Sequence, residues 1–327
     1  VMFDWLFGSR KQAQRHDQGV LQGPPATVDP ITLRVSLITH APILEARGGL
    51  RLYEYFNWHN PLALAQAYAA DLRTASGGIA RYDIVEHQVV DGYPVKRDGF
   101  AYDDATYLRA MARQQSFHQP DAVDYERLIA TFDLKRKVLS GAIDEVWLMG
   151  FPYAGYYESQ MVGAGAIWCN SPPLASPDLC PRRFVIMGFN YERGVDCMLE
   201  NFGHRVESIM SHIYRNHQGE RNLWERYIRY ELRHPGRAEC GNVHFAPNST
   251  RDYEWGNARP VLSRADTWYN FPDLSGSPRM MNAQDWGNGD MRLHHLWWLD
   301  HLPRGAGATD GVQNNWWWYV LCPDRAF

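Results

Sequence analysis

Two stretches, Glu145–Gly150 and Phe184–Phe189, are runs of strand length with almost no polar residue between their ends, and this restricts the fold more than anything else in the sequence. A strand with one face in water alternates apolar and polar residues; a run without alternation is a strand buried on both faces, which a soluble chain achieves by covering a sheet with helices. Helical patterns precede both runs. Asn60 is placed as an N-cap with Pro61 at the first helical position, a stripe through Leu64 and Tyr68, and Gly77-Gly78 beyond the end. Further helices are predicted from Asp104 to about Gln114, and from Asp124 to Leu139 on the spacing of Tyr125, Leu128, Ile129 and Phe132. With Leu33–Thr39 and Arg81–Val90 as additional strands, the order reads β-α-β-α-α-β, which implies an α/β fold: a layered, mostly parallel sheet of Rossmann-like or flavodoxin-like type.

That pattern divides the chain into an N-terminal arm over 1–30, an α/β core domain over 31–217, and a Trp-rich C-terminal region over 218–327 packed on the core. The core ends with a helix predicted from about Arg193 to Arg215. Nine of the thirteen tryptophans follow residue 218; a shorter helix is expected around Asn222 to Leu232, and the rest is rich in Trp, Asn, Asp, Gly and Pro, with one more helix from Asp290 to His301. Aromatic rings so short of aliphatic company bury themselves most readily against the α/β unit.

Charge and cysteine content remove several functions. The net charge is −4, and of 33 basic residues only Lys11, Lys96, Lys135 and Lys137 are lysines. The arginines are scattered, so nucleic acid is not an expected partner. No apolar run approaches the ~20 residues of a membrane span. Five cysteines contain no C-x-x-C pair; Cys169 and Cys180 flank a Pro-rich segment and would form a disulfide only in an oxidising compartment. The opening residues Val1-Met2-Phe3-Asp4 carry no signal-peptide pattern, which fits either no leader or one already removed. Secreted and cytoplasmic locations are both compatible, and oligomeric state is open. Asn248-Ser249-Thr250 is a glycosylation sequon, meaningful only in a eukaryotic secretory setting.

Ligands of open parallel sheets bind beyond the carboxyl ends of the strands. That rule selects His40 after the first strand, Tyr153, Tyr156, Tyr157 and Glu158 after the third, and Asn190, Tyr191, Glu192 and Arg193 after the fourth. The connection Phe151–Arg182 has no helical or strand period, and long unpatterned connections are commonly functional. Glu158 and Glu192 from neighbouring strand ends form a candidate acid/base pair of glycosidase type, assisted by His40. Tyr153, Tyr157, Trp168, Asn190, Arg193 and Trp297 are the candidate substrate contacts, since aromatic faces beside amides suit sugars. Glu192 has a plainer explanation, as a first-turn carboxylate favoured by the helix dipole.

Two groups have metal-ligand character. Asp290, His294 and His301, with Trp297, share one face of the late helix. His204-Arg205-Val206-Glu207 has the H-x-x-E spacing that resembles a metallocarboxypeptidase ligand pair, although the wider pattern departs from that family. Glu200, His204 and Glu207 lie opposite the apolar stripe Val195, Leu199, Phe202, Val206 and Ile209, where a solvated face is the expectation. They form a buried site only if the C-terminal region folds over them.

No dinucleotide, P-loop, nucleophile-elbow or zincin motif occurs. The leading expectation is a hydrolase acting on a small-molecule or glycan substrate through a carboxylate pair. The alternatives are a hydrolase dependent on a divalent metal and a non-catalytic glycan-binding or structural protein.

Overall fold

The computed structural model describes residues 20, 21, 23, 24 and 28–327; most of the predicted N-terminal arm lies outside the described residues. The chain has an α/β fold built on one five-stranded sheet. Its strands are β1 (Ile31–His40), β2 (Ala80–Val90), β3 (Glu145–Gly150), β4 (Ser159–Val162) and β5 (Phe184–Asn190), in the order β2-β1-β3-β5-β4. The first four run parallel and only β4 is antiparallel.

Alternation along the central strands makes two cores. Trp147 and Met149 of β3, with Val185 and Met187 of β5, face one side. That side is covered by α1 (Pro61–Ala75) and α5 (Val195–Ile213). Val146 and Leu148, with Phe184 and Ile186, face the other. There α3 (Tyr125–Thr131) and α4 (Leu134–Leu139) close the layer, after α2 (Asp104–Met111) has begun the crossover. Each strand of β3 and β5 is thereby buried on both faces, which is what removed the polar alternation from the sequence.

Helix α1 begins where its sequence directs: the Asn60 side chain accepts a hydrogen bond from the Ala63 N–H at 3.0 Å, with Pro61 in the first turn. Asp133, with φ 54°, breaks the continuous helix expected over Asp124 to Leu139 into α3 and α4, because a left-handed residue cannot propagate an α-helix. Of the helix expected around Asn222 to Leu232, only α6 (Leu223–Tyr227) forms. Within Phe151–Arg182 the sequence conceals β4. Its Ser159 and Gln160 are buried with their side chains bonded to the Cys169 and Pro172 carbonyls, so polar residues occupy interior positions and erase the strand pattern.

The C-terminal third adds α7 (Met291–Asp300) and α8 (Trp316–Leu321), both packed on α5. Trp224, Trp268, Trp286, Trp297, Trp298, Trp316 and Trp317 are fully buried and substitute for the missing aliphatic core. Arg205 of α5 is fully buried and ties this region to the sheet: it donates to Glu145 at 2.8 Å and to the Val320 carbonyl at 2.7 Å. The cysteines are free thiols; Cys169 lies in one core and Cys180 in the other, on opposite faces of the sheet. Asn248 is fully buried with its amide bonded to the Asn257 and Arg259 carbonyls, so it has no room for a glycan. No helix among the described residues is long and apolar enough to cross a membrane.

Candidate metal centre at the carboxyl edge of the sheet

Beyond the carboxyl ends of β3 and β5 lies a cleft of about 380 Å³. Phe151, Tyr153, Tyr156 and Glu158 line it from one strand end, Asn190 and Arg193 from the other, and Glu200 and Asn201 from α5. Glu158 reaches the cleft because the chain crosses very close to β5 at Gly188: a Cβ there would stand 2.2 Å from the Tyr157 carbonyl oxygen, while the Gly188 N–H donates to the Glu158 carbonyl at 3.1 Å. The Glu158 carboxylate accepts from the Asn170 amide, whose own backbone N–H is held by Ser208 of α5 at 3.0 Å. Tyr153 has φ 63°, an uncommon conformation for an aromatic residue. Buried Lys96 holds it there, donating to its carbonyl at 2.6 Å, and its ring stacks on Phe117.

The polar stripe of α5 continues the cleft. His204 and His244 approach with their Nε2 atoms 3.2 Å apart. One Glu200 carboxylate oxygen lies 3.2 Å from the His244 Nε2 and 4.0 Å from that of His204. Each imidazole has its other nitrogen on a carboxylate: His204 Nδ1 is 2.9 Å from Glu207, and His244 Nδ1 is 3.1 Å from Asp252. Tyr253 completes the cluster, its hydroxyl 3.0 Å from Glu200 and 3.1 Å from His244 Nε2.

His244 arrives on the segment that follows α6, which lies across α5 at Gly203. A Cβ on Gly203 would stand 2.5 Å from Val243 Cγ2, so glycine permits the approach. Asn242 folds the turn by accepting from the N–H groups of His244 and Phe245, and Glu207 accepts from the Val243 N–H at 3.3 Å. The face of α5 opposite its apolar stripe is therefore covered: the side chains of Glu200, His204 and Glu207 keep 12%, 18% and 28% of their exposure.

A carboxylate only accepts, so Glu207 and Asp252 fix each Nδ1 as the protonated nitrogen. Each neutral imidazole then presents an Nε2 lone pair, and two lone pairs and a carboxylate oxygen converge on one space. Without a cation this is repulsive unless an imidazole gains a proton. Accordingly the Glu200 hydrogen bond raises the His244 pKa, and Glu207 raises that of His204 in spite of its burial. Burial would lift the Glu200 carboxyl, but hydrogen bonds from His244 and Tyr253 hold it below the ordinary value. Glu158 is raised, first by burial and also by the charge of Glu200.

The separations of 3.2, 3.2 and 4.0 Å compare with the ~3.3 Å edge of a tetrahedron whose ligands stand about 2.0–2.1 Å from zinc. Among the described residues, Glu200, His204 and His244 are the one group of three or more ligand side chains with ligand atoms all within 4.8 Å of one another.

The remaining predicted site residues are dispersed. Glu192 is exposed, within hydrogen-bonding or ion-pairing range of Asn190 and Arg193, and does not line the cleft. His40 is buried beneath Tyr156, whose hydroxyl is hydrogen-bonded to its Nδ1 at 2.6 Å, and burial lowers its pKa to about 4. Tyr157 stacks on Tyr125 away from the cleft lining, whereas Trp168 is 57% exposed, two residues before Asn170. Asp290 caps α7; His294 is fully buried against Trp255; Trp297 is enclosed by Trp286 and His301; and His301 bonds the Trp297 carbonyl. Asp290, His294 and His301 do not converge as a ligand group. The sequence does not point to His244, Asp252 and Tyr253, since they lie in a segment without period or motif, 40 or more residues from His204 and Glu200 of α5.

No family model, no curated protein and no solved structure matches this chain.

Proposed function

We propose that the protein is a metal-dependent hydrolase whose divalent cation is held by Glu200, His204 and His244. The observation that carries this reading is the convergence of two imidazole Nε2 atoms and a carboxylate oxygen, with both opposite ring nitrogens tied to carboxylates. Such outer carboxylates fix the tautomer and raise ligand basicity, and the N₂O donor set suits zinc. Three protein ligands leave a position open, where a bound cation would supply a water of lowered pKa and a Lewis acid.

The chain's own residues furnish the rest. Glu158, whose carboxyl is pushed up by burial and by the charge of Glu200, lines the same cleft as Glu200 and serves as the acid/base group. Tyr253 stays a neutral donor, because burial and Glu200 both raise its pKa. Tyr153 and Tyr156 offer ring faces, and Asn190, Arg193 and Asn201 offer hydrogen bonds, to a polar small-molecule or glycan substrate. We read the sheet as flavodoxin-like, from the order β2-β1-β3-β5 of its parallel strands, which puts the ligand crevice at this edge.

Elemental analysis of the purified protein and of the His204→Ala and His244→Ala variants is the direct test. One transition metal per chain, lost in both variants together with hydrolysis of a panel of ester, amide and glycoside substrates, is the expected result. A protein that neither contains nor takes up zinc refutes the metal centre. Loss of activity in Glu192→Gln with metal content unchanged would return the reading to a Glu158/Glu192 pair.

A further inference from the structure

At the opposite, amino-terminal edge of the sheet a second cavity of about 470 Å³ opens between the starts of β1, β3 and β5 and the short helix Pro323–Ala326 that follows α8. We infer that it binds a small dianionic oxyanion, a phosphate monoester by chemical class. Five guanidinium groups line it against three carboxylates, an excess of two positive charges on a chain of net charge −4.

The ion pairs show which charges are spent. Arg34 pairs with Asp144 through two nitrogens, at 2.9 and 3.0 Å. Arg182 bridges Asp144 and Asp324, both at 3.2 Å, and Arg205 takes Glu145. Among the described residues Arg183 and Arg325 have no carboxylate partner: Arg183 donates to the Gly165 carbonyl at 3.3 Å, and Arg325 to the Cys322 sulfur at 2.9 Å. The Arg183 guanidinium also rests on the Phe327 ring, 4.9 Å from its centroid, which holds it in place before any ligand arrives.

A third observation is independent of charge counting. The Arg205 side chain is fully buried and its Nε has no hydrogen-bond partner, while the residue lines this cavity. An unsatisfied donor on a buried cation is costly, and a negative charge held in the adjoining cavity offsets that cost through space. A phosphate monoester meets all three features: two negative charges for the two unspent guanidiniums, several acceptor oxygens, and a geometry matched by the planar fork of arginine. The volume lies in the range of small-molecule sites. No residue of the candidate metal centre lines this cavity, so the inference stands apart from the proposed hydrolysis.

Calorimetric titration of the full chain with inorganic phosphate and with glycerol phosphate, at fixed ionic strength and with EDTA present to silence the metal centre, tests it. One saturable site is expected, with glycerol phosphate binding at least as tightly as phosphate and acetate not competing. Arg183→Met with Arg325→Met should weaken binding about tenfold or more, as loss of two charge-assisted donors requires. Arg183→Lys with Arg325→Lys, which keeps the charge without the fork and preserves folding if the methionine pair does not, should lie between. Heat indistinguishable from chloride, equal binding in the lysine pair and the parent, or exclusion of the monoester while phosphate binds would each overturn the assignment.

Discussion

Arg205→Met should strongly destabilise the packing of α5 on the sheet and the C-terminal third, and the size of the loss follows from what the guanidinium leaves behind. Both side chains of the pair are out of solvent, at 0% for Arg205 and 2% for Glu145. In the variant the Glu145 carboxylate keeps only the Trp147 indole N–H, at 2.8 Å, and the Val320 carbonyl loses the donor now at 2.7 Å. Removing one partner of a buried ion pair costs about 3–5 kcal/mol, because an uncompensated charge remains. Methionine keeps the aliphatic stem, so little cavity term is added, although the guanidinium over the Phe202 ring, 5.6 Å from its centroid, is lost. Glu145→Gln removes that charge while leaving an acceptor for Trp147. The double variant should therefore lose only about 1–3 kcal/mol, chiefly for the orphaned carbonyl, and fall well short of the sum of the two singles, since Glu145→Gln alone also strands a buried charge. Urea denaturation of the parent, both single variants and the double variant gives the cycle. A loss below about 1 kcal/mol for Arg205→Met, or a double variant as unstable as the sum of the singles, would show that Arg205 is solvated and that the C-terminal third is not anchored through it.

Phe202→Ala removes a fully buried ring that stacks on Trp317 and meets Tyr68, and should cost about 3–5 kcal/mol in the same denaturation assay. Glu207→Gln should leave folding intact but weaken zinc binding about 10- to 100-fold, read by competition with a chromophoric chelator, because the His204 Nδ1–H loses its carboxylate. Gly203→Ala should weaken zinc binding as well, since the added methyl displaces Val243 and with it His244. Stability should fall on acidification through His40, whose folded pKa of about 4 lies below the ordinary 6.5. Between these values the unfolded chain binds the proton that the folded one refuses, so stability is full above about pH 6.5 and declines by about 3 kcal/mol towards pH 4. His40→Gln should flatten that slope in pH-dependent denaturation, and an unchanged slope would mean that the site is hydrated.

Local pattern was sufficient for the layers. The unbroken apolar runs of β3 and β5, the Asn60-Pro61 start of α1 and the stripe on α5 are short-range features, each fixed by burial periodicity or by a cap within four residues, and the α/β character followed from their order. Where polar residues satisfy their hydrogen bonds inside, as Ser159 and Gln160 do in β4, the same logic has nothing to read. It also has no access to a residue such as Asp133, whose left-handed backbone carries no pattern of its own.

The site divides along the same line. Glu200, His204 and Glu207 are legible as a helical stripe because they are neighbours on one helix, and the strand-end rule reached Glu158, Asn190 and Arg193 at the cleft. What the periodicity of α5 alone cannot say is whether that stripe meets water or protein, since a face opposite a core stripe is polar in either case. The tertiary fold decided it by laying Val243 against Gly203, which brought His244, Asp252 and Tyr253 onto the stripe from a stretch with no helix or strand of its own. It also took the C-terminal tryptophans into the core, as their lack of aliphatic company indicated, and with them Trp297, which the sequence offered as a substrate contact. Composition and period determine which surfaces must be hidden; only the packed chain determines which distant residues do the hiding, and a ligand sphere assembled from two such surfaces exists nowhere in the sequence until they meet.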